Sequence, residues 1–127
     1  MGSVVEATAE TFREAVSAGT VLVDVWGPHC APCLALMPHV ERLAAERPEL
    51  TVVKLDATKA RRLCIDLRIA SVPAFLMLVE GREIARLAER PPSPERLRAW
   101  VDATLGSVRN DAVGKSWGGE SRDPLAR

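Results

Sequence analysis

The fold of this chain is decided by residues 21–33, which read VLVDVWGPHCAPC. Residues 21–26 are almost all apolar and too few for a helix of their own, a pattern typical of a strand buried on both faces. Cys30 and Cys33 follow at the start of a helical pattern, where one turn of helix brings both sulfurs to one face, close enough to bond. The stretch therefore predicts a strand followed by a helix that carries a redox-active cysteine pair.

The two cysteines are expected to play different parts. Cys30, at the start of the helix, is the predicted nucleophile, because unsatisfied backbone N–H groups there stabilise a thiolate. Cys33, one turn inside, is predicted to be less exposed and to resolve a mixed disulfide. Pro32 fits the first helical turn, where a missing N–H matters little.

The composition excludes several classes of protein. The 127 residues predict one domain with a core that needs no disulfide staples. The net charge is zero, so nothing favours a nucleic-acid or membrane-surface partner. Because the chain has neither an apolar run of about 20 residues nor a signal-peptide pattern, we expect a cytoplasmic protein. In that reducing compartment a close cysteine pair is catalytic or metal-binding more often than structural.

Apolar periodicity divides the rest of the chain into strands and helices. Strands are predicted at residues 4–7, 21–26, 51–55, 74–79 and 83–88, and helices at 8–19, at 30–47, from about 59, and at 93–106. Thr8 and Ser93 are the predicted caps of the first and last helices, and Gly106 is the predicted end of the last. The order β-α-β-α-β-α-β-β-α predicts an α/β protein with a central mixed β-sheet flanked by α-helices. Residues 1–106 are the predicted domain and residues 107–127 a flexible tail.

The element order and residues 21–33 together resemble the thioredoxin family, over roughly residues 4–105. The resemblance implies the thioredoxin fold and a thiol–disulfide oxidoreductase that mainly reduces protein disulfides, in electron transport and cell redox homeostasis, without a bound cofactor. Its partners would be disulfide-containing protein substrates and an electron donor, either a thioredoxin-reductase-like enzyme or a low-molecular-weight thiol. A monomer is the expected state.

Asp24 is the second functional residue that the sequence suggests. A carboxylate between Val23 and Val25 costs free energy unless it is paired or protonated. In the thioredoxin family the matching aspartate lies beneath the second cysteine and accepts its proton, and Lys54 matches the lysine that lies near this aspartate. A purely structural ion pair between Asp24 and Lys54 is the alternative.

The same resemblance indicates where a substrate would bind. Val72 and Pro73 match the family's loop that faces the cysteines, where the proline is cis and the neighbouring backbone pairs with an extended chain. His29 replaces the family's usual tryptophan before the first cysteine; it either stabilises the Cys30 thiolate when protonated or has no electrostatic role. We expect Trp26, His29, Val72 and Pro73 to contact the substrate.

Two further residues depart from the family or lie outside its motif. Glu89 lies where thioredoxins keep a glycine, if the hairpin aligns without gaps, so a narrower docking surface is expected. Cys64 is predicted to be a buried structural thiol, with a regulatory thiol as the alternative.

Two other function classes remain open on the sequence. A metal site could use the cysteine pair with His29 and with His39 or Cys64, but a structural zinc site usually needs a second spaced pair, so we expect no metal. The other alternative is a thioredoxin-like docking module, or a specialised redox protein with one dedicated partner, in which general redox activity is incidental.

Overall fold

The computed structural model describes residues 3–88 and 91–113, with side chains up to residue 108. Five strands and four helices follow one another in the predicted order. The strands are β1 (Ser3–Ala7), β2 (Thr20–Trp26), β3 (Leu50–Asp56), β4 (Ala74–Val79) and β5 (Arg82–Leu87). The helices are α1 (Phe12–Ala15), α2 (Ala31–Glu46), α3 (Arg61–Asp66) and α4 (Pro94–Val113), and one turn of 3-10 helix at Ala57–Lys59 precedes α3.

The strands form one mixed sheet in the order β1-β3-β2-β4-β5. β3 runs parallel to β1 and β2, whereas β4 runs antiparallel to β2 and to β5. β2 is thus the central strand, which confirms the prediction of a strand buried on both faces. A mixed five-stranded sheet flanked by helices is the architecture of the thioredoxin fold, so the predicted fold class is confirmed.

Two apolar cores lie on opposite faces of the sheet. On one face Val21, Val23 and Val25 pack with Phe12 of α1 and Leu63 of α3. The other face is covered by α2 and α4, and its core includes Leu22, Leu36, Val40, Phe75, Leu97 and Val101. Because side chains alternate along a strand, Asp24 and Trp26 share this second face with Leu22.

The helix boundaries agree with the predictions in part. Ser93 caps α4 as predicted, since its Oγ accepts a hydrogen bond from the Arg96 N–H at 3.0 Å. Thr8 caps the turn before α1 instead of the helix itself: its Oγ1 accepts from the Thr11 N–H at 3.2 Å, and α1 begins only at Phe12. The extent predicted for the first helix was therefore too long.

Gly106 does not end the last helix, so this prediction was wrong. α4 continues to Val113, and Gly106 lies inside it without the positive φ of a glycine cap. A single glycine inside a helix costs only about 1 kcal/mol relative to alanine, which flanking residues that keep the helical conformation can offset. The division into a domain and a flexible tail stays a prediction, and residues 114–127 lie outside the described part.

No helix within the described ranges is both long enough and apolar enough to cross a bilayer.

Candidate active site

The two cysteines lie where the central strand β2 passes into α2. Cys30 is the residue that caps α2, and its Sγ accepts a hydrogen bond from the Cys33 N–H at 3.2 Å. The two residues are joined by a disulfide bond, with their Cα atoms 5.2 Å apart. Cys30 is partly exposed, whereas Cys33 is only 2% exposed. An outside sulfur can therefore reach Cys30 and not Cys33.

Asp24 lies in the central strand, on the face that α2 covers. It is only 2% exposed, and none of the described residues donates a hydrogen bond to its carboxyl group. Burial raises its pKa to about 7, while the charge of Lys54 acts in the opposite direction. An aspartate in this state can hold a proton or accept one near neutral pH.

Lys54 is the charged residue beside Asp24, because the two are register partners on β3 and β2. Its ion pair within the described part of the chain is with Glu6 of β1, where Nζ lies 3.6 Å from Oε2. The same Nζ lies 5.6 Å from the centre of the Trp26 ring, within the range of a cation–π contact. The structure thus brings together Asp24, Lys54 and Trp26, and Lys54 forms its ion pair with Glu6 instead of Asp24.

The loop before β4 lies beside the cysteines. The Val72–Pro73 peptide bond is cis, as the resemblance implied, and Pro73 is buried. A Cβ atom added to Gly27 would lie 3.7 Å from Cγ2 of Val72 and 3.9 Å from Cβ of Cys30. Gly27 therefore lies between the loop of Val72 and the residue Cys30, close to both.

The comparisons with known proteins agree with this geometry. The Thioredoxin family model matches residues 3–103. A thioredoxin of Acetoanaerobium sticklandii is 35% identical over 99 residues, which cover 76% of this chain and 94% of that protein. This chain belongs to the thioredoxin family. Thioredoxin C-2 of Corynebacterium nephridii is 33% identical over 106 residues, covering 81% of this chain and 97% of that protein.

Family membership and the disulfide-bonded pair together identify a thiol–disulfide oxidoreductase. The docking-module alternative is not favoured. A longer relative, the thioredoxin domain-containing protein 5 homolog of Drosophila melanogaster, is 35% identical over 119 residues, which cover 91% of this chain and 28% of that protein. This chain is thus similar to nearly the whole of some small thioredoxins and to one part of a longer protein.

Two exposed side chains border the cysteines in this member of the family. His29 is exposed, as a residue that contacts substrates must be. Leu34 is 47% exposed, and its N–H donates to the Cys30 carbonyl oxygen at 3.1 Å, so it lies one helical turn from Cys30. Leu34 was not among the site residues predicted from the sequence. It could have been found as an apolar residue outside the stripe of Leu36 and Val40, which faces the core.

The other residues considered from the sequence lie away from this cluster or are not described. Cys64 is 7% exposed in α3, as predicted, and burial raises its pKa. His39 lines a groove of about 180 Å³ between α2 and α4. Within the described residues, no three His, Cys, Asp or Glu side chains are grouped as a metal site requires. Glu89 lies outside the described residues.

Proposed function

We propose that this thioredoxin-family protein reduces disulfide bonds in other proteins, using the Cys30–Cys33 dithiol. The observation that supports this best is the unequal exposure of the two cysteine residues at the N-terminus of α2. A partly exposed cysteine can form a bond with a large substrate, while a buried neighbour is protected from the same attack. This asymmetry is what a mixed-disulfide mechanism requires.

The reaction has two exchange steps. The Cys30 thiolate attacks one sulfur of the substrate disulfide, so that a mixed disulfide forms and the other substrate sulfur leaves as a thiolate. The Cys33 thiol then loses its proton and attacks Sγ of Cys30, which releases the second substrate thiolate and leaves the Cys30–Cys33 disulfide. Two electrons pass to the substrate, and the intramolecular disulfide of this structure is the product state of the protein.

Asp24 is the proposed proton acceptor for Cys33. It lies on the sheet face under α2, the helix that carries Cys33, and burial raises its pKa to about 7. A base with a pKa near the working pH accepts a proton efficiently and can also release it afterwards. Lys54 tunes Asp24, since its positive charge favours the ionised carboxylate.

Trp26, His29, Val72 and Pro73 are the proposed substrate contacts. Val72 lies next to the cysteine loop across Gly27, so an extended chain bonded to Cys30 would run along the Val72–Pro73 backbone. Main-chain hydrogen bonds supply affinity in this arrangement with little dependence on substrate sequence. Of these four residues His29 is the exposed one, so its imidazole is the side chain most accessible to a bulky substrate.

A thiol donor must return the disulfide to the dithiol after each cycle. We propose a thioredoxin-reductase-like enzyme or a low-molecular-weight thiol for this role, and a cytoplasmic location, because that compartment keeps such dithiols reduced. The sulfurs themselves carry the electrons, so the reaction needs no bound cofactor. We further propose that the protein transfers these electrons as a monomer.

Trapping of the mixed disulfide tests this proposal. Cys33→Ser should accumulate a covalent complex with a disulfide-containing protein such as insulin, Cys30→Ser should lose the reaction, and Cys64→Ser is the control that should keep it. The covalent complexes are resolved by mass on non-reducing gels after each protein has been reduced and freed of the reductant, because free thiol would cleave the mixed disulfide. Turnover is measured separately with dithiothreitol as donor, and the rate without protein is subtracted. Turnover by the Cys30→Ser variant at the parent rate would refute the mechanism.

A further inference from the structure

Glu6, Lys54 and Asp24 lie side by side on three neighbouring strands. The register pairs Glu6 with Lys54, and Lys54 with Asp24. Register partners on parallel strands direct their side chains to the same face of the sheet, here the face under α2. The Lys54 ammonium lies between the carboxylate of Glu6 on the edge strand and the ring of Trp26. A surface carboxylate is thus linked to the buried one by a single lysine.

Few other charged groups of the described chain face Asp24. Its register partner on β4 is the apolar Phe75, and the buried side of α2 begins with Cys33, which is disulfide-bonded. Asp56 lies on the same face of β3, two residues beyond Lys54, and its Oδ1 accepts hydrogen bonds of 2.9 and 2.7 Å from the residue two positions later. Lys54 is therefore the charged residue through which the surface charge of Glu6 can act on Asp24.

We propose that Glu6 is a positioning residue that sets the protonation of Asp24 through Lys54, and with it the pH range of the resolving step. The inference rests on the role proposed above for Asp24. Glu6 acts in two ways, and both favour the protonated form of Asp24. Its negative charge, two strand spacings or roughly 10 Å away, disfavours a second negative charge at Asp24. It also attracts the Lys54 ammonium, which would otherwise neutralise the Asp24 carboxylate more fully.

Removal of the Glu6 charge is therefore expected to lower the pKa of Asp24. The experiment is an NMR titration of the Asp24 side-chain carbon in the oxidised Glu6→Gln protein. We expect a downward shift of about half a unit, since Glu6 is 71% exposed and water screens its charge. In about 1 M salt, where the Debye length is about 3 Å, the difference from the parent should become small.

Matched variants separate this role from a general effect of charge or folding. Glu14→Gln removes the same charge from the exposed side of α1, on the opposite face of the sheet, and should leave the pKa of Asp24 unchanged. Glu6→Asp keeps the charge and should give a value closer to the parent than Glu6→Gln does. Thermal unfolding of each variant is measured to check that the fold is kept.

A kinetic measurement connects the titration to the reaction. The rate at which the mixed disulfide is resolved, followed against pH, should have its midpoint moved downward in Glu6→Gln by the same amount as the pKa of Asp24. An Asp24 pKa in Glu6→Gln that equals or exceeds the parent value would overturn the inference. If Asp24→Asn resolves mixed disulfides as fast as the parent, the proposed role of Asp24 fails instead, and the titration still decides what Glu6 does.

Discussion

Asp24→Asn is expected to stabilise the oxidised protein by an amount that increases with pH. Asp24 is 2% exposed, and burial raises its pKa from 3.8 to about 7. Between these two values the native protein keeps a proton that the unfolded chain releases, so the free energy of unfolding falls as the pH rises. Asparagine has a similar shape and no ionisable group, and the variant therefore does not undergo this loss.

The size of the effect follows from the shift in pKa. A change from 3.8 to about 7 is about three pKa units, and at about 1.4 kcal/mol for each unit this amounts to roughly 4 kcal/mol once the pH is well above 7. Less than half of this difference is already present near pH 5. The gap between variant and parent should thus widen by about 2–3 kcal/mol between about pH 5 and about pH 8.5.

Urea unfolding of the oxidised proteins at several pH values measures this gap. The oxidised form is chosen because Cys30 and Cys33 do not titrate in it. The matched control is Asp66→Asn, an exposed aspartate at the end of α3, whose difference from the parent should stay nearly constant with pH. A gap for Asp24→Asn that is equally constant, or that narrows as the pH rises, would refute the argument from burial.

Two further pairs of variants test the packing and the backbone. Leu97 of α4 is 0% exposed, so Leu97→Ala should lower the free energy of unfolding by about 2–5 kcal/mol. Leu34 is 47% exposed, so Leu34→Ala should lower it by roughly 0.5 kcal/mol or less. Equal losses of the two variants in urea unfolding would contradict the assigned burial. Gly81→Ala places a Cβ atom at a φ of +84° in the hairpin turn and should destabilise the protein by about 1–2 kcal/mol. Gly106 lies inside α4 with open space around it, so Gly106→Ala should stabilise the protein by about 0.5–1 kcal/mol. Loss of stability in Gly106→Ala would mean that the helix ends at this glycine after all.

Much of the fold could be predicted because its signals are local and periodic. Residues 21–26 and 74–79 are short apolar runs, and the helices carry apolar residues at intervals of three and four. These patterns can be recognised without the tertiary structure, because they depend only on the spacing of apolar residues along the chain. The boundaries were harder, since a helix end reflects small differences in free energy: Gly106 matched the pattern of a cap but lies within a helix.

The candidate site divides in the same way. Cys30 and Cys33 could be recognised because four consecutive residues, together with their place between a strand and a helix, contain all of the geometry that a disulfide needs. Glu6 could not be recognised, since it is 48 residues from Lys54 in sequence and meets it only through the pairing of β1 with β3. The nearness of Val72 to Cys30 likewise depends on a contact across Gly27.

The sequence by itself thus determined the order of strands and helices, the cysteine pair and the presence of a carboxylate in an apolar strand. Only the tertiary structure decided the state of that carboxylate. α2 and the neighbouring strands remove Asp24 from water, while the sheet register places Lys54 beside it and Glu6 beyond. Burial and charge at short distance both shift a pKa, and both arise from residues far apart in the chain.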